Sequence, residues 1–175
     1  KFEAEFKKSI DNALRNLESI KNKRDAASAM SISAAEAFEY YTNTISSFLD
    51  VVGSISKSSN NAELANLTSA YVNLLQAKER AGRERGILSN TFANDKFEPG
   101  MFHKFLSVVT EQTAYGTFFL SHATADQKSF YETKMQGHLI DEAAKMRKIA
   151  LERSDKGGFG VDADHSFKIQ TGKIN

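Results

Sequence analysis

Residues 38–55 read FEYYTNTISSFLDVVGSI and carry the clearest periodic signal in the chain. Their apolar side chains recur at alternating steps of three and four residues, a spacing that returns to one side of an α-helix. The residues on this stripe are Phe38, Tyr41, Ile45, Phe48, Val52 and Ile55. Such a stripe is typical of the seam of a coiled-coil-like bundle. The segment therefore predicts a long amphipathic helix that ends in the polar run at residues 57–61.

The same rhythm predicts further long helices along the chain. The predicted helices cover about residues 2–20, 38–55, 60–92, 98–123 and 125–152, and the tail from Asp162 resembles the start of a sixth. The third opens near Asn60 or Asn61, because asparagine favours a helix N-terminus. The chain has one proline, Pro99, and short links between helices favour antiparallel neighbours. The predicted fold class is all-α, an up-and-down bundle of long antiparallel helices.

Composition limits the classes of function. The chain has 175 residues with 23 basic and 22 acidic side chains, so the formal net charge is +1, and we expect a single helical domain over residues 1–175. Balanced charge argues against a nucleic-acid partner, because phosphate binding needs clustered Lys and Arg. The chain has no cysteine, and its four histidines lack the i,i+4 spacing of a metal-binding pair. We therefore expect no metal and no cofactor.

The densest local signal is residues 71–86, YVNLLQAKERAGRERG. On a helical wheel Arg80 and Arg83 fall on the outer face. Pairs four residues apart are expected there, Glu79 with Arg83 and Arg80 with Glu84. This side of the helix is predicted to face solvent.

Two cations of the same segment, Lys78 and Arg85, fall on the apolar seam instead. A buried guanidinium needs a carboxylate, a group of carbonyls or an anion. The residues one turn from Arg85 are small and leave room beside it: Ala81, Gly82 and Ser89. Its paired N–H donors match a planar oxyanion. The alternatives are that Arg85 pairs with a glutamate of a facing helix or reaches the bundle edge, and that the amine of Lys78 lies in water.

If a ligand binds this segment, the residue types predict an anion site rather than a catalytic one. Its candidate residues are Arg85, Lys78, Arg83, Gly82 and Ser89. No nucleophile, base and orienting group come together in the pattern, so we expect no enzyme activity.

Residues 77–86, AKERAGRERG, followed by ILSNTF at 87–92, resemble the nitrate- and nitrite-sensing (NIT) domain of bacterial chemoreceptors and other signalling proteins. The similarity extends to residues 40–42 upstream and 162–173 downstream, and so covers most of the chain. The resemblance implies an all-helical domain that binds nitrate or nitrite between helices, through arginines of two Glu-Arg-Gly-type motifs. Residues 84–86 match one of these motifs, which implies that Arg85 binds the anion.

The resemblance also implies a context for the domain. The family's other motif lies upstream of the segment that residues 2–17 resemble, so the chain is expected to be truncated before residue 1 and to lack that ligand-binding helix. We further expect an extracytoplasmic, periplasmic sensor of a membrane-anchored chemoreceptor, homodimeric, with a cytoplasmic output module. The second hypothesis is a ligand-free structural or dimerisation bundle, in which Arg85 pairs with a carboxylate.

Overall fold

A computed structural model describes residues 2–56 and 61–175, without the side chains of Phe2 and Ser56. The polar run at residues 57–60, including the predicted helix start at Asn60, lies outside the described residues. The described residues form α-helices and no strand, which confirms the all-α bundle class. The helices are α1 (Phe2–Glu18), α2 (Ile20–Ser28), α3 (Ala34–Ser56), α4 (Ala62–Ala93), α5 (Met101–His122), α6 (Ala125–Lys134), α7 (His138–Glu152) and α8 (Ala163–Ile174).

Capping side chains set several of the helix starts. Asn61 Oδ1 accepts the backbone N–H of Glu63 at 2.9 Å, so α4 begins where the sequence predicts. Asp162 Oδ1 accepts the N–H of His165 at 2.7 Å and starts α8, which confirms the predicted sixth helix. In both places an Asn or Asp oxygen satisfies an N–H group that has no partner within the helix.

Two of the predicted helices are interrupted. The segment predicted as one helix at 125–152 divides into α6 and α7, because Gly137 has a φ of 98°. That backbone conformation is incompatible with a continuing right-handed helix, and glycine adopts it at little cost. The predicted first helix likewise ends at Glu18, and Ser19 separates it from α2.

The chain divides into two compact units, Lys1–Val72 and Asn73–Asn175. In the first unit α1 packs against α3, and the Tyr40 hydroxyl donates to the carbonyl of Asn16 at 2.6 Å. This contact places the end of α1 beside the start of α3, as in an antiparallel pair. The interpretation of residues 1–175 as one sensor domain stays a prediction.

The buried face of α3 is rotated from the predicted seam. Ile45, Phe48 and Ile55 are 42%, 39% and 44% exposed. The buried side chains include Thr44 and Ser47, whose hydroxyls donate to backbone carbonyls of their own helix at 2.8 and 2.7 Å. Small polar side chains can be buried in this way because the helix itself supplies their acceptors.

The second unit has a larger apolar core. Its buried apolar side chains include Ile87, Leu88, Phe92, Phe105, Val108, Phe119, Met146, Phe159 and Ile169. The segment after α7 is held to the end of α4 by Asp95, whose carboxylate accepts the N–H groups of Gly158 and Phe159 at 3.0 and 2.8 Å. A Cβ on Gly157 would lie 2.4 Å from the carbonyl oxygen of Asp95, so this close approach requires glycine.

Candidate functional site

Glu84 is the most deeply buried charged residue of α4, with 0% of its surface exposed. It points into the second unit from the middle of the helix. A carboxylate in this position is costly to bury unless several donors surround it. The partners of Glu84 therefore determine how the surrounding helices are joined.

Three helices supply those partners. From α7, Arg147 binds both carboxylate oxygens of Glu84 through Nε and Nη2, each at 2.6 Å. From α5, the amide of Gln112 donates to Glu84 Oε2 at 3.0 Å. From α8, the Lys173 ammonium lies 3.5 Å from Oε2. Gln112 also accepts from Arg147 at 2.8 Å and from Lys173 at 3.3 Å, so the four side chains form one closed network.

This network keeps Glu84 ionised. Burial alone raises the pKa of the Glu84 carboxyl, but the hydrogen bonds from Arg147 and the charge of Lys173 outweigh burial and hold that pKa below its usual value. Burial lowers the pKa of Lys173 more than the Glu84 charge raises it. The carboxylate is thus shared between two cations, and one positive charge remains in excess.

A second set of polar contacts lies on another side of α4. Arg80 donates through Nε to Glu111 of α5 at 2.9 Å, bonds to Gln76, and stacks 4.7 Å above the ring of Tyr115. Its side chain is only 11% exposed. The predicted pairing of Arg80 with Glu84 is wrong, because Glu84 turns inward to Arg147 while Arg80 turns to α5.

Arg83 also departs from the predicted solvated face, since its side chain is 15% exposed. The predicted i,i+4 pair is present, with Arg83 Nε donating to Glu79 Oε1 at 3.0 Å. The outer face of the wheel is therefore partly covered by α5. The sequence of one helix shows where its charged residues cluster, but it does not show which neighbouring helix packs over them.

Arg85 follows Glu84 in the sequence and contacts different residues of α8. Its Nη1 donates to the hydroxyl of Thr171 at 2.9 Å, and its guanidinium carbon lies 4.7 Å above the centre of the Phe167 ring. Within residues 2–56 and 61–175 it has no ion pair with a carboxylate. The guanidinium is thus half-buried and oriented by a ring and one hydroxyl, with further N–H donors to spare.

The structure brings part of the predicted site together. Gly82 and Ser89 lie on the same side of α4 as Arg85, and a Cβ on Gly82 would meet no described atom within 4 Å. Lys78 shares that side but is exposed, as the alternative with its amine in water predicts. Arg83 lies on a different side, against Glu79. The geometry therefore groups Arg85 with Gly82 and Ser89.

Sequence reasoning missed Glu84 and its partners. A signal was present: the buried residues of α4 recur at steps of four and three, as the predicted seam does. This stripe consists of Ala77, Ala81, Glu84, Leu88 and Thr91. A glutamate on an otherwise small and apolar stripe predicts a buried ion pair, but nothing local to α4 identifies Arg147 or Lys173 as its partners.

Comparison with known proteins bears on both the fold and the function. A solved structure of the NasR transcription antiterminator superimposes with a TM-score of 0.88 at 23% identity, over 97% of this chain and 46% of that chain. A nitrate regulatory protein of Klebsiella oxytoca is 24% identical over 143 residues, which are 82% of this chain and 36% of that protein. The structural match shows a shared fold, and the chain spans less than half the length of either relative.

The predicted periplasmic location is wrong. The relatives are a regulatory protein and a transcription antiterminator, and a factor that acts on transcription works where RNA is made rather than outside the cytoplasmic membrane. The resemblance suggested a chemoreceptor because that is one setting in which such domains occur. In the described parts of the chain, no helix combines the length and apolar character that a membrane span requires.

The match to a family covers nearly the whole chain. The family described as nitrate and nitrite sensing, NIT, matches residues 2–175. The matched region includes Glu84 and Arg85 and every described helix. The chain belongs to the nitrate and nitrite sensing (NIT) family.

Proposed function

We propose that this chain binds nitrate or nitrite at Arg85 and transmits the bound state through α8. The observation that carries the proposal is the half-buried guanidinium of Arg85, which has a hydroxyl and a ring as neighbours and no carboxylate partner among the described residues. Arg85, Gly82 and Ser89 form the site. Lys78 lies farther out and contributes charge, while Arg83 is engaged with Glu79.

The chemistry of Arg85 fits a planar oxyanion. The guanidinium presents parallel N–H donors in one plane, and its carbon lies 4.7 Å above the centre of the Phe167 ring, a contact that restricts the side chain. Beside it, Glu84 is shared between Arg147 and Lys173, so the local charge is positive. A net positive field attracts an anion and raises its association rate.

The bond between Arg85 and Thr171 suggests how binding is transmitted. An anion bound to the unused N–H donors of Arg85 would reorient the guanidinium relative to the Thr171 hydroxyl, and so change a contact between α4 and α8. To shift a population from 1:9 to 9:1, the anion must favour one arrangement by about 80-fold. We propose a regulatory rather than an enzymatic role, and the expected homodimer and the expected absence of a nucleic-acid partner stay predictions.

One observation favours the second candidate, a ligand-free structural bundle. The Glu84 network joins α4, α5, α7 and α8 through direct side-chain bonds, as a structural bundle requires. That hypothesis also requires a carboxylate partner for Arg85. Arg85 forms no such pair within the described residues, which supports the sensor.

The test is calorimetric titration of nitrate, nitrite and chloride into the full-length protein, because this chain spans less than half the length of either relative. We expect heat from nitrate or nitrite in the wild type, none in Arg85→Ala, and at least tenfold weaker binding in Arg85→Lys, which keeps the charge but loses the planar donor pair. Arg24→Ala removes the same charge at an exposed position and should bind normally. Equal binding by wild type and Arg85→Ala would overturn the assignment of the site.

A further inference from the structure

Two buried polar side chains of α8 have no hydrogen-bond partner among residues 2–56 and 61–175. Ser166 and Gln170 are 1% and 0% exposed, and within the described part of the chain neither the Ser166 hydroxyl nor either polar atom of the Gln170 amide forms a hydrogen bond. Burying a polar atom without a partner costs free energy, and most such atoms in folded proteins are paired. A leucine or methionine could fill the position of Gln170 without this cost.

The position of Gln170 relates it to the proposed site. On α8, at about 100° per residue, it lies about 60° from Lys173 on one side and about 60° from Phe167 on the other. Lys173 contacts Glu84, and Phe167 contacts Arg85. Because contacts to α4 occur on both sides of Gln170, its side chain points toward α4 between them.

The facing side of α4 does not supply partners. Between Glu84 and Arg85 on the wheel lie Ala81 and Leu88, which are buried and cannot hydrogen bond through their side chains. Gly82 lies beyond Arg85 on the side away from Glu84, and a Cβ there would meet nothing within 4 Å among the described residues. A small polar ligand held between Arg85 and the Gln170 amide would supply the hydrogen-bond partners that the side chains of Ala81 and Leu88 cannot.

We infer that Gln170 and Ser166 are the inner half of the oxyanion site whose outer half is Arg85. The Gln170 Nε2 and the Ser166 hydroxyl donate to oxygens of the anion, and a water molecule taken up with the anion donates to Gln170 Oε1. This inference rests on the proposed function and deepens it. The two side chains replace hydrogen bonds that the anion gives up to water when it enters the bundle. Arg85 supplies charge, and the two neutral groups supply directed hydrogen bonds.

The variants Gln170→Met and Ser166→Ala test the inference, with Gln136→Met as a control at an exposed glutamine. Each is titrated with sodium nitrate and sodium nitrite in the full-length protein, and its Tm is measured with and without the salts. We expect Gln170→Met to raise the Tm of the ligand-free protein and to weaken anion binding by tenfold or more. Ser166→Ala should weaken binding severalfold, and Gln136→Met should bind as the wild type does.

Other outcomes overturn the inference in distinguishable ways. Unchanged affinity in both Gln170→Met and Ser166→Ala, beside lost affinity in Arg85→Lys, rejects the inner half and leaves the Arg85 site intact. A lower ligand-free Tm with unchanged affinity identifies the pair as the site of a structural water only. Absence of binding in the wild type rejects the proposed function together with this inference. If Gln170→Met does not fold, the anion affinity of Ser166→Ala, a smaller change, decides whether the inner half of the site exists.

Discussion

Glu84 and Arg85 are neighbours in sequence, about 100° apart on the same helix, and they have opposite environments. Glu84 is completely buried, and partners from three other helices satisfy its carboxylate. Arg85 meets one hydroxyl and one aromatic ring, with donors to spare. A charge whose partners are all protein groups stabilises the fold, whereas a charge with unused donors is available to a ligand. On α4, the structural face at Glu84 is therefore distinct from the proposed binding face at Arg85.

The largest expected loss of stability follows from removing the Glu84 carboxylate. Glu84→Gln keeps the size of the side chain but leaves Arg147 and Lys173 without their shared carboxylate, which should lower the free energy of unfolding by about 3 kcal/mol or more. Urea denaturation measures the change. Glu98→Gln removes a carboxylate from an exposed pair with Lys96 and should change stability by less than about 0.5 kcal/mol. Equal effects in the two variants would show that the Glu84 network does not hold the helices together.

Low pH should reduce the stability that the Glu84 carboxylate contributes. The folded state lowers the pKa of Glu84 below its usual value of 4.5, so the carboxylate form favours folding. That contribution is complete above about pH 4.5 and is lost as pH falls through the lower, folded pKa. Thermal melts from pH 7 to pH 3 should therefore show a steeper loss of Tm in the wild type than in Glu84→Gln. Parallel curves for the two proteins would contradict this assignment.

On the Arg85 side the expected loss of stability is smaller. Arg85→Ala removes one hydrogen bond to Thr171 and one contact with Phe167, together worth about 1–2 kcal/mol. The anion response should nevertheless disappear completely. Urea titrations with and without nitrate measure both effects, and a loss of stability as large as that of Glu84→Gln would show that Arg85 is also structural.

The smallest expected effect concerns the contact between Arg80 and Glu111. The Glu111 side chain is 41% exposed, so solvent screens the pair and Glu111→Gln should cost less than about 1 kcal/mol. Anion binding should not change, because Arg80 lies on another side of α4 from Arg85. Altered nitrate affinity in Glu111→Gln would mean that the two sides of α4 are coupled.

Much of the helix architecture could be predicted from the sequence. The start of α4 at Asn61 and of α8 at Asp162 follows from capping oxygens, which act over three residues and are visible locally. The break between α6 and α7 could not be predicted from apolar spacing alone, because the periodic pattern continues across Gly137. The left-handed backbone at that residue interrupts the helix.

The orientation of each helix was less predictable. On α4 two stripes share the three-four rhythm, one through Arg85 and one through Glu84, and the structure buries the second. On α3 the exposed Ile45 and Phe48 show the same kind of rotation. Periodicity defines an apolar side only to within about one residue, or roughly 100°. Packing against neighbouring helices decides which residues within that range are buried.

The helical fold, the starts of the capped helices and the position of Arg85 among small residues could all be predicted from the amino-acid sequence. These properties depend on interactions within a few residues, so local spacing is sufficient to predict them. The enclosure of Glu84 by Arg147 and Lys173 depends instead on how the helices pack, and so does the burial of Gln170 without a hydrogen-bond partner among the described residues. Those contacts join residues 63 or more positions apart in the chain, and their free energy exists only once the helices have packed.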